Sequence, residues 1–123
     1  MNYNMDIRPK TIFCDIDGTL IEHSVPWECS TPEYEMKLLP GTINKLAEWD
    51  RKGYNIILTT GRRESLRKIT EEQLSKLGIF YDYLLMGIGG GERILINDMK
   101  PNGMITATAI NIDRNQGINH LKI

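Results

Sequence analysis

Three short apolar runs alternate with two segments of helical periodicity, and this alternation constrains the fold more than any other feature. "TIFCDI" begins at Thr11, "YNIILTTG" at Tyr54 and "YDYLLMG" at Tyr81. Each run is too short for a helix and closes on glycine or small polar residues, so each reads as a buried strand. Between the first two lies "PGTINKLAEWDRKG", in which Ile43, Leu46 and Trp49 recur on one helical face and Gly53 supplies a stop. Between the second and third lies "RRESLRKITEEQLSKLG", with Leu66, Ile69, Gln73/Leu74 and Leu77 as its stripe and Gly78 at its end. "RILIND" and "ITATAINI" add a fourth and a fifth expected strand. Strand–helix–strand–helix–strand is the order of a parallel sheet flanked by helices. The expected fold is a single α/β domain over residues 1–123, Rossmann-like, with three layers around a central parallel sheet.

In such sheets, functional groups gather beyond the carboxyl ends of the strands. Here those ends carry "DIDGT" after the first strand, "TTGR" after the second and "ND" after the fourth. Asp15 and Asp17 repel one another, and burying either without a partner is costly. A cation, or chemistry that needs two acids, accounts for the pair. Asp15 suits a nucleophile or metal ligand, and Asp17 a general acid/base. Gly18 allows the sharp turn and Thr19 can tie it down. Thr60 and Gly61 offer a hydroxyl and a backbone donor to an anion at a helix start; Thr60 equally suits a helix cap. Asp98 completes a partial oxygen shell for a hard cation such as Mg²⁺, together with Asp15 and a backbone carbonyl near Asp17.

Composition narrows the partners. The chain of 123 residues is 41% hydrophobic and 25% charged with a net charge of −1, so it lacks the basic excess of a nucleic-acid binder. No apolar run reaches the length of a membrane span, and "MNYNMDIRPK" lacks the form of a signal peptide. Cys14 and Cys29 form no CxxC pair, and His23 with Cys29 is too small a set for zinc. A cytoplasmic protein is the expectation.

"DIDGTL", "TTGR" and "ND", in this order on successive strands, resemble the haloacid dehalogenase superfamily of phosphotransferases, and the resemblance spans Thr11 to Pro101. It implies a Mg²⁺-dependent phosphatase acting on a phosphomonoester. Asp15 would attack phosphorus and become an aspartyl phosphate. Asp17 would protonate the leaving group and then activate water. Thr60 would hold a phosphoryl oxygen, and Asp15, Asp17 and Asp98 would bind the metal. The family usually carries a lysine ahead of its fourth-strand acid, and small capless relatives tied to surface-polysaccharide synthesis would have it after "LLMG". This chain has Ile88 there, followed by "GGGE". Arg93 and Lys100 are the nearest substitutes; Lys100, just past a strand end, is favoured over Arg93 at the strand start.

The stretch from Ile21 to Pro40 is too short for a cap domain and reads as a flap, with Trp27 and Tyr34 as stacking or packing residues. An open site suits a large substrate or a lid lent by a second copy. The expected substrate is a sugar phosphate or related metabolite. A non-catalytic phosphate- or partner-binding protein and a nucleic-acid-end phosphatase are the alternatives.

Overall fold

The computed structural model describes residues 7–25, 31 and 33–123. Trp27, named above as a flap residue, and Cys29 lie outside the described residues. The ordered elements are strand β1 (Thr11–Asp15), helix α1 (Thr42–Arg51), strand β2 (Asn55–Thr59), a 3₁₀ turn (Glu64–Leu66), helix α2 (Arg67–Lys76) and strand β3 (Tyr83–Leu85). The three strands form one parallel sheet in the order β1-β2-β3.

Register is what positions the site. Thr11 pairs with Asn55 and Asp15 with Thr59, while Thr59 also pairs with Leu85. All three strands therefore end in one row. The bonding continues past it, Ile16 N–H donating to the Thr59 carbonyl at 3.2 Å and Thr60 N–H to the Leu85 carbonyl at 3.0 Å. "IDGT" and "TGR" leave the sheet side by side at its carboxyl edge.

The strands alternate between faces with period two. Cys14, Leu58 and Leu84 form a buried row, whereas Phe13 and Tyr83, one residue back along their strands, are 55% and 64% exposed. The buried face merges with Ile16, Leu20, Ile21, Leu46, Trp49, Leu74 and Ile118 in one core. Each fully buried aliphatic side chain of this kind stabilises the fold by roughly 1.5–3 kcal/mol.

Helix α1 buries Thr42, Leu46 and Trp49, at i, i+4 and i+7. Ile43, expected on that face, is 36% exposed instead. Thr42 takes its place because its hydroxyl donates to the Leu20 carbonyl at 2.7 Å in a buried contact, tying the helix start to the turn after β1. Gly53 ends α1 as expected: with φ +76 it donates to Asp50, and Tyr54 N–H donates to Trp49. Gly78 closes α2 in the same way, at φ +75.

The fourth and fifth expected strands are corrected. Among the described residues, 93–98 and 105–112 pair with no strand, and β1 keeps its second edge open. Ile94, Leu95 and Ile96 are 62–90% exposed. The two limbs contact each other instead. Lys100 N–H donates to the Met104 carbonyl at 3.0 Å, Gly103 N–H to the Lys100 carbonyl at 2.8 Å, and the Asn97 amide to the Thr106 hydroxyl at 2.8 Å. That hydroxyl donates to the Asp98 carbonyl. The turn at "KPNG" thus joins the two limbs, and the Asp98 carbonyl bonds to a side chain instead of a strand.

The flap is pinned at its base. Ile21 bridges Leu38 in antiparallel fashion, Glu22 N–H donates to Lys37, and Leu39 N–H donates to Leu20. The C-terminal stretch packs beneath it, with buried Ile118 donating its N–H to the Pro40 carbonyl at 3.0 Å. Gly117 makes this approach possible: its φ is +83, and a Cβ there would stand 2.4 Å from the Pro40 carbonyl oxygen. Gly117→Ala is expected to cost about 1–2 kcal/mol from the left-handed backbone alone, with the clash adding to it. Chemical denaturation should show a lower midpoint at an unchanged slope. No helix among the described residues is long and apolar enough to cross a membrane.

Candidate active site

The turn after β1 places Asp15 and Asp17 at the sheet's carboxyl edge. Gly18, at φ +88, lets the chain double back so that its N–H donates to the Ile21 carbonyl at 2.8 Å. Beside this turn lies a cleft of about 160 Å³ lined by Asp15, Asp17, Gly18, Thr19, Ile112 and Arg114.

The two carboxylates have different surroundings. The Asp15 side chain accepts a long bond from the Thr19 hydroxyl, at 3.4 Å. Desolvation at the strand end, and then the Asp17 charge, push its carboxyl above the usual carboxylate range. The Ile16 N–H, Thr19 and the Arg93 charge partly oppose this. Asp17 is clamped. Arg62 donates from Nε to Oδ2 at 3.1 Å and from Nη2 to Oδ1 at 2.9 Å, while the Thr60 hydroxyl donates to Oδ2 at 3.3 Å. Oδ2 thus uses both lone pairs and Oδ1 keeps one. Cys14, one residue before Asp15, is buried and its thiol is pushed up to about 12 by burial and the Asp15 charge. It stays protonated and is no rival nucleophile.

In sequence Arg62 offers a substrate contact or, more simply, a solvated helix arginine; the structure instead sets it against Asp17. It is buried, and its third arm donates from Nη1 to Gln73 Oε1 at 3.0 Å and Thr70 Oγ1 at 3.3 Å. The available signal was on α2. Gln73 interrupts an apolar stripe, and a buried amide needs a partner.

"TTGR" differs from the anion-binding helix start expected of it. The first helical turn begins only at Glu64, so neither Thr60 nor Gly61 caps it. Thr60 is buried; its hydroxyl accepts the Arg62 N–H at 3.1 Å and faces Asp17. Neither Thr60 nor Gly61 lines the cleft. Gly61 instead permits a close approach of the following loop, since a Cβ there would lie 2.9 Å from the Gly89 carbonyl oxygen.

That loop, "GGGER", folds back toward the site. The Arg93 guanidinium donates to the Gly89 carbonyl at 2.8 Å and to the Gly91 carbonyl, and its charge lowers the Asp15 carboxyl's pKa. Asp98 and Lys100 stand on the 93–112 arm, outside the cleft lining. Among the described residues no three His, Cys, Asp or Glu side chains gather into a metal-binding cluster, so Asp98 is not brought to Asp15 and Asp17.

A parallel α/β sheet with a carboxylate pair beyond its first strand defines a class of proteins that bind ligands at their strand ends. A family model described as haloacid dehalogenase-like hydrolase matches residues 12–111, and the chain belongs to that family. Among solved structures, it is similar to a chain of the Pnkp1/Rnl/Hen1 RNA repair complex at 37% identity and TM-score 0.55, over 63% of this chain and 25% of that one. A second structure of a Pnkp1/Rnl/Hen1 complex matches at 35% identity and TM-score 0.56, over 70% of this chain and 30% of that one. This chain therefore spans less than a third of those relatives' length. A crystal structure from Vibrio cholerae shares the fold at 22% identity and TM-score 0.51, over 76% of this chain and 85% of that one. No curated protein matches.

Proposed function

We propose that the protein is a Mg²⁺-dependent phosphomonoester hydrolase that works through an aspartyl phosphate on Asp15. One observation carries this: two adjacent carboxylates at one strand end have opposite surroundings, Asp15 open to a cleft and Asp17 fixed by Arg62. In the first step an Asp15 oxygen bonds to phosphorus as the bond to the leaving oxygen breaks. That oxygen takes a proton from Asp17. In the second step a water gives its proton to Asp17 and bonds to phosphorus, the bond to Asp15 breaks, and inorganic phosphate leaves. Asp17 Oδ1, with its spare lone pair, is the atom that carries the proton. Thr60 and Arg62 position it.

The donor set suits a hard dication in part. Asp15 offers a carboxylate with no ion pair among the described residues, its carboxyl raised by desolvation first and by the Asp17 charge second. Asp15 and the main-chain carbonyl of Asp17 would hold Mg²⁺, with Asp98 joining only by movement of the arm. The metal would offset charge between nucleophile and phosphate. Arg93 supplies side-chain cation on the same flank.

The substrate proposed first is a phosphorylated sugar or related small metabolite, reached through a cleft without a cap domain. A second reading, a nucleic-acid-end phosphatase, is favoured by the 35–37% identity to chains of an RNA repair complex. The test is phosphate release from a metabolite phosphate panel and from oligonucleotides with 3′- or 5′-terminal phosphates, with Mg²⁺ and with excess chelator. Release from metabolites, lost in chelator, is the expected result. Faster release from oligonucleotide ends selects the second reading. Full activity in chelator ends the metal assignment, and no release from any substrate ends the hydrolase mechanism.

A further inference from the structure

The C-terminal stretch reaches back across the molecule to the active-site turn and brings a cation with it. Arg114 lines the cleft together with Asp15 and Asp17. Its stem lies on Gly18: Cγ would be 3.3 Å and Nε 3.9 Å from a Cβ built on that glycine. The backbone around it is held on both sides of the turn. Asn115 N–H donates to the Gly18 carbonyl at 2.8 Å, and the Asn115 side-chain oxygen accepts the His23 N–H at 2.8 Å. Asn115 adopts φ 63, a left-handed conformation that asparagine tolerates better than most residues. Buried Ile118, bonded to Pro40, anchors the far end. This anchoring places the arginine at the cleft, where among the described residues it forms no ion pair with Asp15 or Asp17.

Arg114 packs on Gly18, next to Asp17, the residue proposed above to serve the leaving group. The guanidinium of this exposed arginine has a forked donor set suited to a carboxylate or a phosphate. We propose that Arg114 forms an anion subsite, and that the preferred substrate is a small phosphomonoester carrying a second anionic group on its leaving portion. This rests on the phosphatase reading and names the substrate class for the same site.

The experiment compares a hexose 6-phosphate, the corresponding hexose 1,6-bisphosphate and phenyl phosphate in wild type, Arg114→Ala and Arg114→Lys. Wild type is expected to favour the bisphosphate. In Arg114→Ala the ratio of kcat/KM between bisphosphate and phenyl phosphate should fall about tenfold or more, the scale of a lost hydrogen bond to a charged group. The loss should appear mainly in KM, and Arg114→Lys should recover part of it. Wild-type turnover without that preference, or an unchanged ratio in Arg114→Ala, overturns the subsite alone. Circular dichroism and the denaturation midpoint of Arg114→Ala identify a folding defect; should one appear, Arg114→Gln, which keeps most of the stem, takes its place in the same ratio. No phosphate release from any of the three substrates by wild type overturns the phosphatase reading and this inference together.

Discussion

Asp15→Asn is expected to lower phosphate release by on the order of 10⁴–10⁶-fold, the range seen when members of a catalytic nucleophile unit are removed, and at the same time to raise thermal stability at neutral pH. The two effects share one origin. The amide has the shape of the carboxylate but cannot bond to phosphorus. It also carries no charge beside Asp17. The folded-state pKa of Asp15 is raised, by desolvation first and by Asp17 second. A carboxyl with a raised folded pKa contributes stability that is present below its unfolded value and is lost as pH rises through the folded value. At neutral pH the ionised Asp15 is therefore a liability, which the amide removes. In metal-free buffer, melting curves should show Asp15→Asn above wild type at neutral pH, with the gap closing as pH falls through the carboxylate range. Added Mg²⁺ should stabilise wild type more than the variant, because Asp15 is the open carboxylate of the pair. Near-normal turnover in Asp15→Asn would remove the covalent mechanism. A variant less stable than wild type at neutral pH would show that Asp15 is held by contacts stronger than its bond to Thr19.

The elements that were legible in sequence are those fixed by local pattern. β1, β2 and β3 announce themselves as short apolar runs, and α1 and α2 end at Gly53 and Gly78 because a left-handed residue is needed there. Asp15 and Asp17 were legible for the same reason, since a strand end fixes where they lie. What local pattern does not carry is pairing at a distance. "RILIND" has the composition of a strand, yet whether it pairs depends on an edge of β1 about eighty residues earlier, and in the structure the turn at "KPNG" bonds the two limbs to each other. Arg114 meets Gly18 across nearly the whole chain, and no periodicity encodes that contact. Thr42 displaced Ile43 from the core because a hydroxyl that reaches Leu20 outweighs the hydropathy of its neighbour. Arg62 was half visible: its partners Thr70 and Gln73 sit three apart on the inner face of α2, polar residues where an apolar stripe was expected.

Arg62→Ala is expected to destabilise the fold by about 3–5 kcal/mol, the cost of breaking a buried pair by removing one partner. The Arg62 and Asp17 side chains are 4% and 19% exposed, so solvent screens their pairing little. Removing the guanidinium deletes both bonds to Asp17 and those to Gln73 and Thr70. It leaves one carboxylate, one amide and one hydroxyl with fewer partners than burial requires. Arg62→Lys should recover little, because one ammonium cannot span acceptors on β1's turn and on α2 together. Relieving the stranded charge should help more than restoring a positive one: in Arg62→Met combined with Asp17→Asn, the loss should be smaller than the sum of the single losses, since an apolar stem and a neutral amide need no counter-ion. Denaturation midpoints of the four proteins measure that coupling. Arg62→Ala within about 1 kcal/mol of wild type would mean that the pair is effectively solvated and that Asp17 is oriented by Thr60 alone. A double variant as unstable as the sum of its singles would mean that Arg62 matters to α2 and not to Asp17. The pairing has a catalytic counterpart. In the proposed mechanism Asp17 gives a proton to one oxygen and takes it from another, and the two Arg62 bonds, one to each carboxylate oxygen, would hold its orientation through both steps.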